Sequence, residues 1–154
     1  SLDMTLQGNL TGPGGTWNNT SFTFTNMIPG ESYAVTIPVQ RVANTAPFSY
    51  TMTGAMTGAL AQHVRWNVVS GSANTQAVSS TGIRTQACTG TSVVNNVTLS
   101  GTQANVIGTP RPIAGSTYSE SLCLRVELPA SAGNTAQSLT GSATFVFNAT
   151  QITS

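Results

Sequence analysis

FTNMIPGESYAVTIPVQ, Phe24 to Gln40, carries two alternating runs around one turn. Upstream of the turn, Phe22 and Phe24 alternate with threonines. Downstream, Tyr33, Val35, Ile37 and Val39 occupy every second position. Successive side chains of a strand point to opposite faces, so each run presents one apolar face, and Pro29-Gly30 between them is a turn signal. The stretch predicts two neighbouring strands joined by a short loop. The same period recurs outward from it. Leu2, Met4 and Leu6 alternate with Asp3, Thr5 and Gln7 ahead of the turn cluster Gly12 to Gly15. Further strands are predicted at Phe48 to Thr53, His63 to Val69, Val93 to Leu99, Tyr118 to Leu128 and Ser142 to Gln151. No segment follows the 3.6-residue period of an amphipathic helix. Gly54 to Ala61, rich in small residues and methionine, fits either one helical turn or a loop, and the polar tract Ser70 to Gly90 reads as a long surface connection or an edge region. No repeat or linker divides the chain. The prediction is a single all-β domain over residues 1–154, an antiparallel β-sandwich or jelly roll of about eight strands.

A chain of 154 residues is long enough to bury a core of its own. Its charges are few: Asp3, Glu31, Glu120 and Glu127 against Arg41, Arg65, Arg84, Arg111 and Arg125, with no lysine. Scattered arginines and a net charge of +1 give no basic stripe to neutralise a run of phosphates, which argues against nucleic acid as a partner. A surface of Thr, Ser, Asn and Gln with 39% hydrophobic residues is unlike a disordered chain, which is poor in hydrophobics and rich in charge. Low net charge also removes the repulsion that keeps proteins apart, so self-association is favoured. No apolar run approaches the roughly 18 residues needed to cross a bilayer, which argues against membrane insertion. The chain opens without a charged n-region and apolar h-region, so any signal peptide is expected to have been removed already. Cys88 and Cys123 form an even pair in an extracellular-looking composition, which favours a disulfide over two buried thiols.

Little in the sequence supports catalysis. His63 is the only histidine available as a base. It shares a strand face with Arg65 and Asn67, opposite Val64, Trp66 and Val68, and is expected to be solvated. Glu120 and Glu127 lie in one predicted strand at an odd separation, so they point to opposite faces and cannot form a glycosidase carboxylate pair; both are expected to be solvated surface carboxylates. Neither HExxH nor CxxC is present, so no transition-metal site is expected, and the remaining possibility is an oxygen-only calcium site using Asp3 or Glu31 with carbonyls. Five N-x-S/T triplets begin at Asn9, Asn18, Asn19, Asn96 and Asn148, as expected by chance in a chain this rich in Asn, Ser and Thr. Leu128-Pro129-Ala130-Ser131-Ala132 is similar to a sortase signal but is internal and lacks the apolar segment and basic tail.

Two stretches carry a resemblance: FTNMIPGESYAVTIPVQ, and SLCLRVELPASAGNTAQSLTGSATFVFNATQ from Ser121 to Gln151. Together they resemble the TasA/camelysin family of secreted bacterial matrix proteins, particularly its actinobacterial members with a phenylalanine-rich terminal strand ending in Ala-x-Gln. The resemblance spans about Leu2 to Gln151, and its specificity rests on the second stretch. It implies a jelly roll, export, and polymerisation into extracellular fibres in which one subunit's amino-terminal segment completes a sheet of the next. On this sequence that donor strand is residues 1–7, with Leu2, Met4 and Leu6 as the polymerisation interface. Similar proteins usually carry further residues before the LDMTL-like strand, whereas this chain starts on it. Some family members have been called metalloproteases; no ligand cluster here supports that activity.

The resemblance therefore predicts a structural subunit of a biofilm-matrix or cell-surface fibre, located outside the cell, with other copies of itself as partners and with neither catalytic residues nor a cofactor. The alternative is a surface adhesin or carbohydrate-binding sandwich, in which Trp17 with Trp66, or Tyr33, Tyr50 and Tyr118, would supply aromatic platforms.

Overall fold

The computed structural model describes residues 4–6, 9–10, 16–41 and 46–152, with side chains from residue 22 onward. Its strands are β1 (Met4–Leu6), β2 (Asn9–Leu10), β3 (Thr16–Thr25), β4 (Ser32–Arg41), β5 (Phe48–Thr57), β6 (Arg65–Ala73), β7 (Ala77–Val78), β8 (Arg84–Thr85), β9 (Cys88–Val97), β10 (Ala104–Ile113), β11 (Ser119–Glu127) and β12 (Thr140–Gln151). They form a six-stranded sheet in the order β2-β1-β4-β11-β6-β9, a four-stranded sheet in the order β10-β5-β12-β3, and a two-stranded ribbon of β7 and β8. Every pairing is antiparallel. The eight long strands divide as β4-β11-β6-β9 against β3-β12-β5-β10, which is jelly-roll order, so the all-β sandwich expected from the alternation is what the chain forms.

Alternation sets the core. On β12 Gly141, Ala143, Phe145, Phe147 and Ala149 are buried while the residues between them are half-exposed; on β11 Leu122, Leu124 and Val126 face inward. Trp66 sits centrally, with Phe145 at 5.0 Å and Phe24 at 6.0 Å between ring centroids, both edge to face, the arrangement in which a ring's positive edge meets a negative face.

Three expectations need correction. The strands on either side of Pro29-Gly30 are not neighbours in one sheet: β3 is an edge of the four-stranded sheet and β4 belongs to the six-stranded one. The turn carries the chain from one layer to the other, since an apolar face on each strand is satisfied equally well by packing across the core as by pairing side by side. Gly54 to Thr57, expected as a helical turn or loop, continues β5, and only Ala59–Gln62 forms a 3-10 turn. β10, which the alternation did not predict, contains Pro110 and Pro112. Proline has no N–H for a sheet ladder, and it is tolerated here because β10 is an edge strand.

The polar tract between β6 and β9 is a strap folded over the outer face of the six-stranded sheet. It leaves and returns at Gly71 and Gly90, which pair with each other; a Cβ at Gly71 would lie 1.9 Å from the Thr89 carbonyl oxygen, and one at Gly90 would lie 2.0 Å from that of Ser70. The Cys88–Cys123 disulfide, with Cα atoms 5.8 Å apart, ties the base of the strap to β11. Gln86 fastens its middle: its N–H donates to the Ser32 carbonyl at 3.1 Å, and its own carbonyl accepts from Ser32 Oγ and from Arg125 Nε, each at 2.9 Å. Its side-chain Oε1 accepts from the Ala34 N–H at 3.3 Å.

Candidate functional site

The turn Ile28-Pro29-Gly30-Glu31 explains the PGES element. The Glu31 N–H donates to the Ile28 carbonyl at 2.9 Å, and Gly30 adopts φ +96°, the left-handed geometry that a type II turn demands of its third residue. The Glu31 carboxylate then closes the same turn from its other side, accepting the Ile28 N–H at 2.8 Å. It is fully buried and also accepts from Tyr33 Oη at 3.4 Å and Arg84 Nε at 3.3 Å. Burial and the neighbouring carboxylate push the Tyr33 phenol up. Glu31, considered above as a calcium ligand, thus spends its oxygens on hydrogen-bond donors. Asp3, the other calcium candidate, lies outside the described residues, as do Leu2 and the side chains of Met4, Leu6 and Trp17.

The backbone of the expected donor strand is placed in part. Met4–Leu6 lies on the outer edge of β4, Met4 opposite Arg41, Thr5 opposite Gln40 and Leu6 opposite Val39, and turns back into β2. It therefore completes the sheet of its own chain over three positions, a short hold at the end of a ten-residue strand. At the other end of β4, between it and β3, an apolar cavity of about 170 Å³ is lined by Phe22, Phe24, Tyr33, Trp66, Leu124 and Val126 among others.

A polar cluster lies on the opposite side of the sandwich, where β9 and β10 part to leave a groove of about 470 Å³. Glu120 was expected to be a solvated carboxylate, and this is wrong. It shares the inward face of β11 with Leu122, Leu124 and Val126, and its side chain is 15% exposed. It accepts from Tyr50 Oη, from Arg111 Nη2, from Arg111 Nε at 3.0 and 3.1 Å, and from Ser70 Oγ at 3.1 Å. Tyr50 and Arg111 belong to the four-stranded sheet, Glu120 and Ser70 to the six-stranded one, so the cluster bridges the layers. Glu127, on the outer face of the same strand, pairs with Arg125 at 2.7 Å.

Burial raises the Glu120 carboxyl, but the hydrogen bonds from Arg111, Tyr50 and Ser70 and the arginine's charge outweigh it and hold the group below its ordinary range. A carboxylate with a depressed folded value contributes stability above the unfolded value, about 4.3, and loses it as pH falls through the folded one. The Tyr50 phenol is pushed far up, by burial first and then by Glu120, so its contribution is complete below about pH 10 and declines at higher pH, where only the unfolded phenol ionises. Urea unfolding as a function of pH should show both losses. Glu120→Gln should flatten the acid limb and cost about 1 to 3 kcal/mol at neutral pH. An acid limb unchanged by the substitution would contradict the assignment.

The remaining expected residues are dispersed. His63 is half-buried beside the 3-10 turn, while Val64, Trp66 and Val68 point into the core, as the alternation required. Tyr50 and Trp66 are core residues, and Tyr118 is 51% exposed with the Arg41 guanidinium 4.4 Å above its ring. Leu128 is buried and bonds through its backbone to Gly30 and Glu31, so the LPASA segment is a structural corner of the fold. Asn96 is exposed at φ +57°. Among the described residues no group of three or more His, Cys, Asp and Glu lies together, and no helix is long and apolar enough to cross a membrane.

Fold and cross-link together define the class: a disulfide-linked, antiparallel jelly-roll sandwich with a strapped outer face. No family model, curated protein or solved structure matches the chain.

Proposed function

We propose that the protein is an exported structural subunit that assembles head to tail into fibres, one copy's amino-terminal strand occupying the edge of β4 in the next. The observation that carries this is the position of Met4–Leu6: with β2 it makes up the outermost part of the six-stranded sheet, and it is held to β4 over three positions only. Exchange of such a strand between copies keeps every backbone bond and changes only which chain supplies it. Head-to-tail exchange does not close on itself, so it propagates. The resemblance to secreted matrix proteins, the scarcity of charge and the disulfide support the same reading.

Negative-stain microscopy of the purified protein tests it: regular filaments are expected, and deletion of residues 1–7 should abolish them while leaving a folded monomer. Filaments that survive the deletion would place the contact elsewhere. Because the chain has no lysine, lysine–asparagine isopeptide links are chemically unavailable. Hot detergent with reductant should therefore reduce the assemblies to monomers, and a persistent covalent ladder on a denaturing gel would contradict this.

A further inference from the structure

We infer that β9 is a second self-association surface, through which two copies pair antiparallel, β9 against β9, on the side of the sandwich opposite the amino-terminal strand. β9 ends the six-stranded sheet, so among the described residues no strand pairs with the outward backbone groups along its ten residues. Exposed edges of this kind template pairing unless blocked by proline, charge or irregularity. The neighbouring edge, β10, carries all three: Pro110 and Pro112, Arg111, and breaks in register after Asn105 and Ile107. From Thr89 to Val97 β9 has neither proline nor an ionisable residue, and its own register shifts against β6 fall between Ser92 and Val97, which leaves Cys88 to Ser92 regular. β3 is similarly uncharged but borders the side assigned to head-to-tail contact.

Three observations favour a second copy as the occupant. Antiparallel pairing of a strand with itself satisfies two-fold symmetry for any sequence, and an uncharged strand meets no like charge in doing so. β9 is already held by β6 in regular register from Cys88 to Ser92 and fastened at Cys88, so little ordering accompanies pairing there. The incoming strand would also lie over the groove of about 470 Å³, whose walls combine Val93, Val94, Val106 and Ile107 with Ser92, Arg111 and Glu120, so its inward side chains meet both apolar and hydrogen-bonding partners. Strand addition takes its affinity from the backbone ladder and its selectivity from such pockets.

The inference rests on the chain being self-associating, but its contact is separate from the amino-terminal one. Thr91→Lys and Asn95→Lys alter exposed positions of β9, and two-fold symmetry introduces each new charge twice at the seam. Filaments of the unaltered protein should lie side by side in pairs, and both variants should give single filaments. In subunits that fail to polymerise, sedimentation should show dimers whose dissociation constant rises at least about tenfold in the variants. High salt should recover part of that loss, and Thr91→Gln should behave as the unaltered protein. An unchanged thermal midpoint separates the effect from misfolding. Dimers sensitive to these charges without any filaments would uphold this surface and overturn the fibre. Pairs that persist in both variants, or a protein monomeric at the highest concentration reached, would overturn the inference.

Discussion

Gly71→Ala and Gly90→Ala should each destabilise the protein by about 4 kcal/mol or more, among the largest losses a single methyl group can produce. The two glycines face each other where the strap leaves the sheet, and the added Cβ would fall 1.9 Å and 2.0 Å from backbone carbonyl oxygens of Thr89 and Ser70. A flexible side chain can move aside, but these obstacles are ladder atoms of β6 and β9, and shifting them breaks the pairing itself. Gly90 also holds φ +147°, which an L side chain resists. Gly82→Ala is the control: its Cβ meets nothing within 4 Å, so only the strain of φ +84° remains. Urea midpoints for the three variants check the ranking, and a loss near 1 kcal/mol at Gly71 would show that the two strands can separate there without breaking the ladder.

Replacing both cysteines by serine should cost about 4 kcal/mol, from the chain-entropy estimate for a closed loop of this size, and lower the thermal midpoint by roughly 10 °C. The bridge spans 35 residues of sequence, closing a loop that holds β9, β10 and the start of β11, and it pins the returning limb of the strap to β11. Without it, the strap is held by Gln86, by the Glu31–Arg84 pair and by the β6–β9 ladder. The intact protein should be lighter by two hydrogens than its reduced form, and scanning calorimetry of the double variant gives the stability loss directly. A midpoint unchanged by the double substitution would mean that the noncovalent contacts suffice.

How far the sequence could be read depended on whether partners lay along the strand or across the fold. The alternation in Tyr33 to Val39 and in the phenylalanine run of β12 marks strand and face together, because burial on one side imposes a period of two. β10 escaped because its prolines and glycine resemble a loop; only its place at an edge makes them tolerable, and that place is a tertiary fact. The side-by-side pairing expected for β3 and β4 failed for a related reason, since Pro29-Gly30 marks a reversal without saying whether it runs within a sheet or between layers. The strap was legible as a polar surface connection from Ser70 to Gly90, but its fastening was not, because Gln86 works mainly through backbone groups and through Ser32 and Ala34, more than fifty positions away. Glu120 was legible in part. Its even spacing from Leu122, Leu124 and Val126 put it on the core face, which should have prompted a search for a buried cation, but Tyr50 is 70 residues distant and no local pattern names it.

The tip of the strap has a use that its base makes available. Residues 79–82 form a small turn, closed by the Gly82 N–H on the Ser79 carbonyl at 3.0 Å, and they stand exposed above the sheet. The paired glycines hold the two limbs together far below it and the sulfur bridge pins the returning limb to β11, so a foreign peptide grafted between Thr81 and Gly82 would find its ends already juxtaposed. Lengthening a closed loop adds only about 0.6 kcal/mol per doubling. If the subunits polymerise, every copy would present that graft at a fixed spacing, making the fibre a scaffold for dense, regularly ordered display.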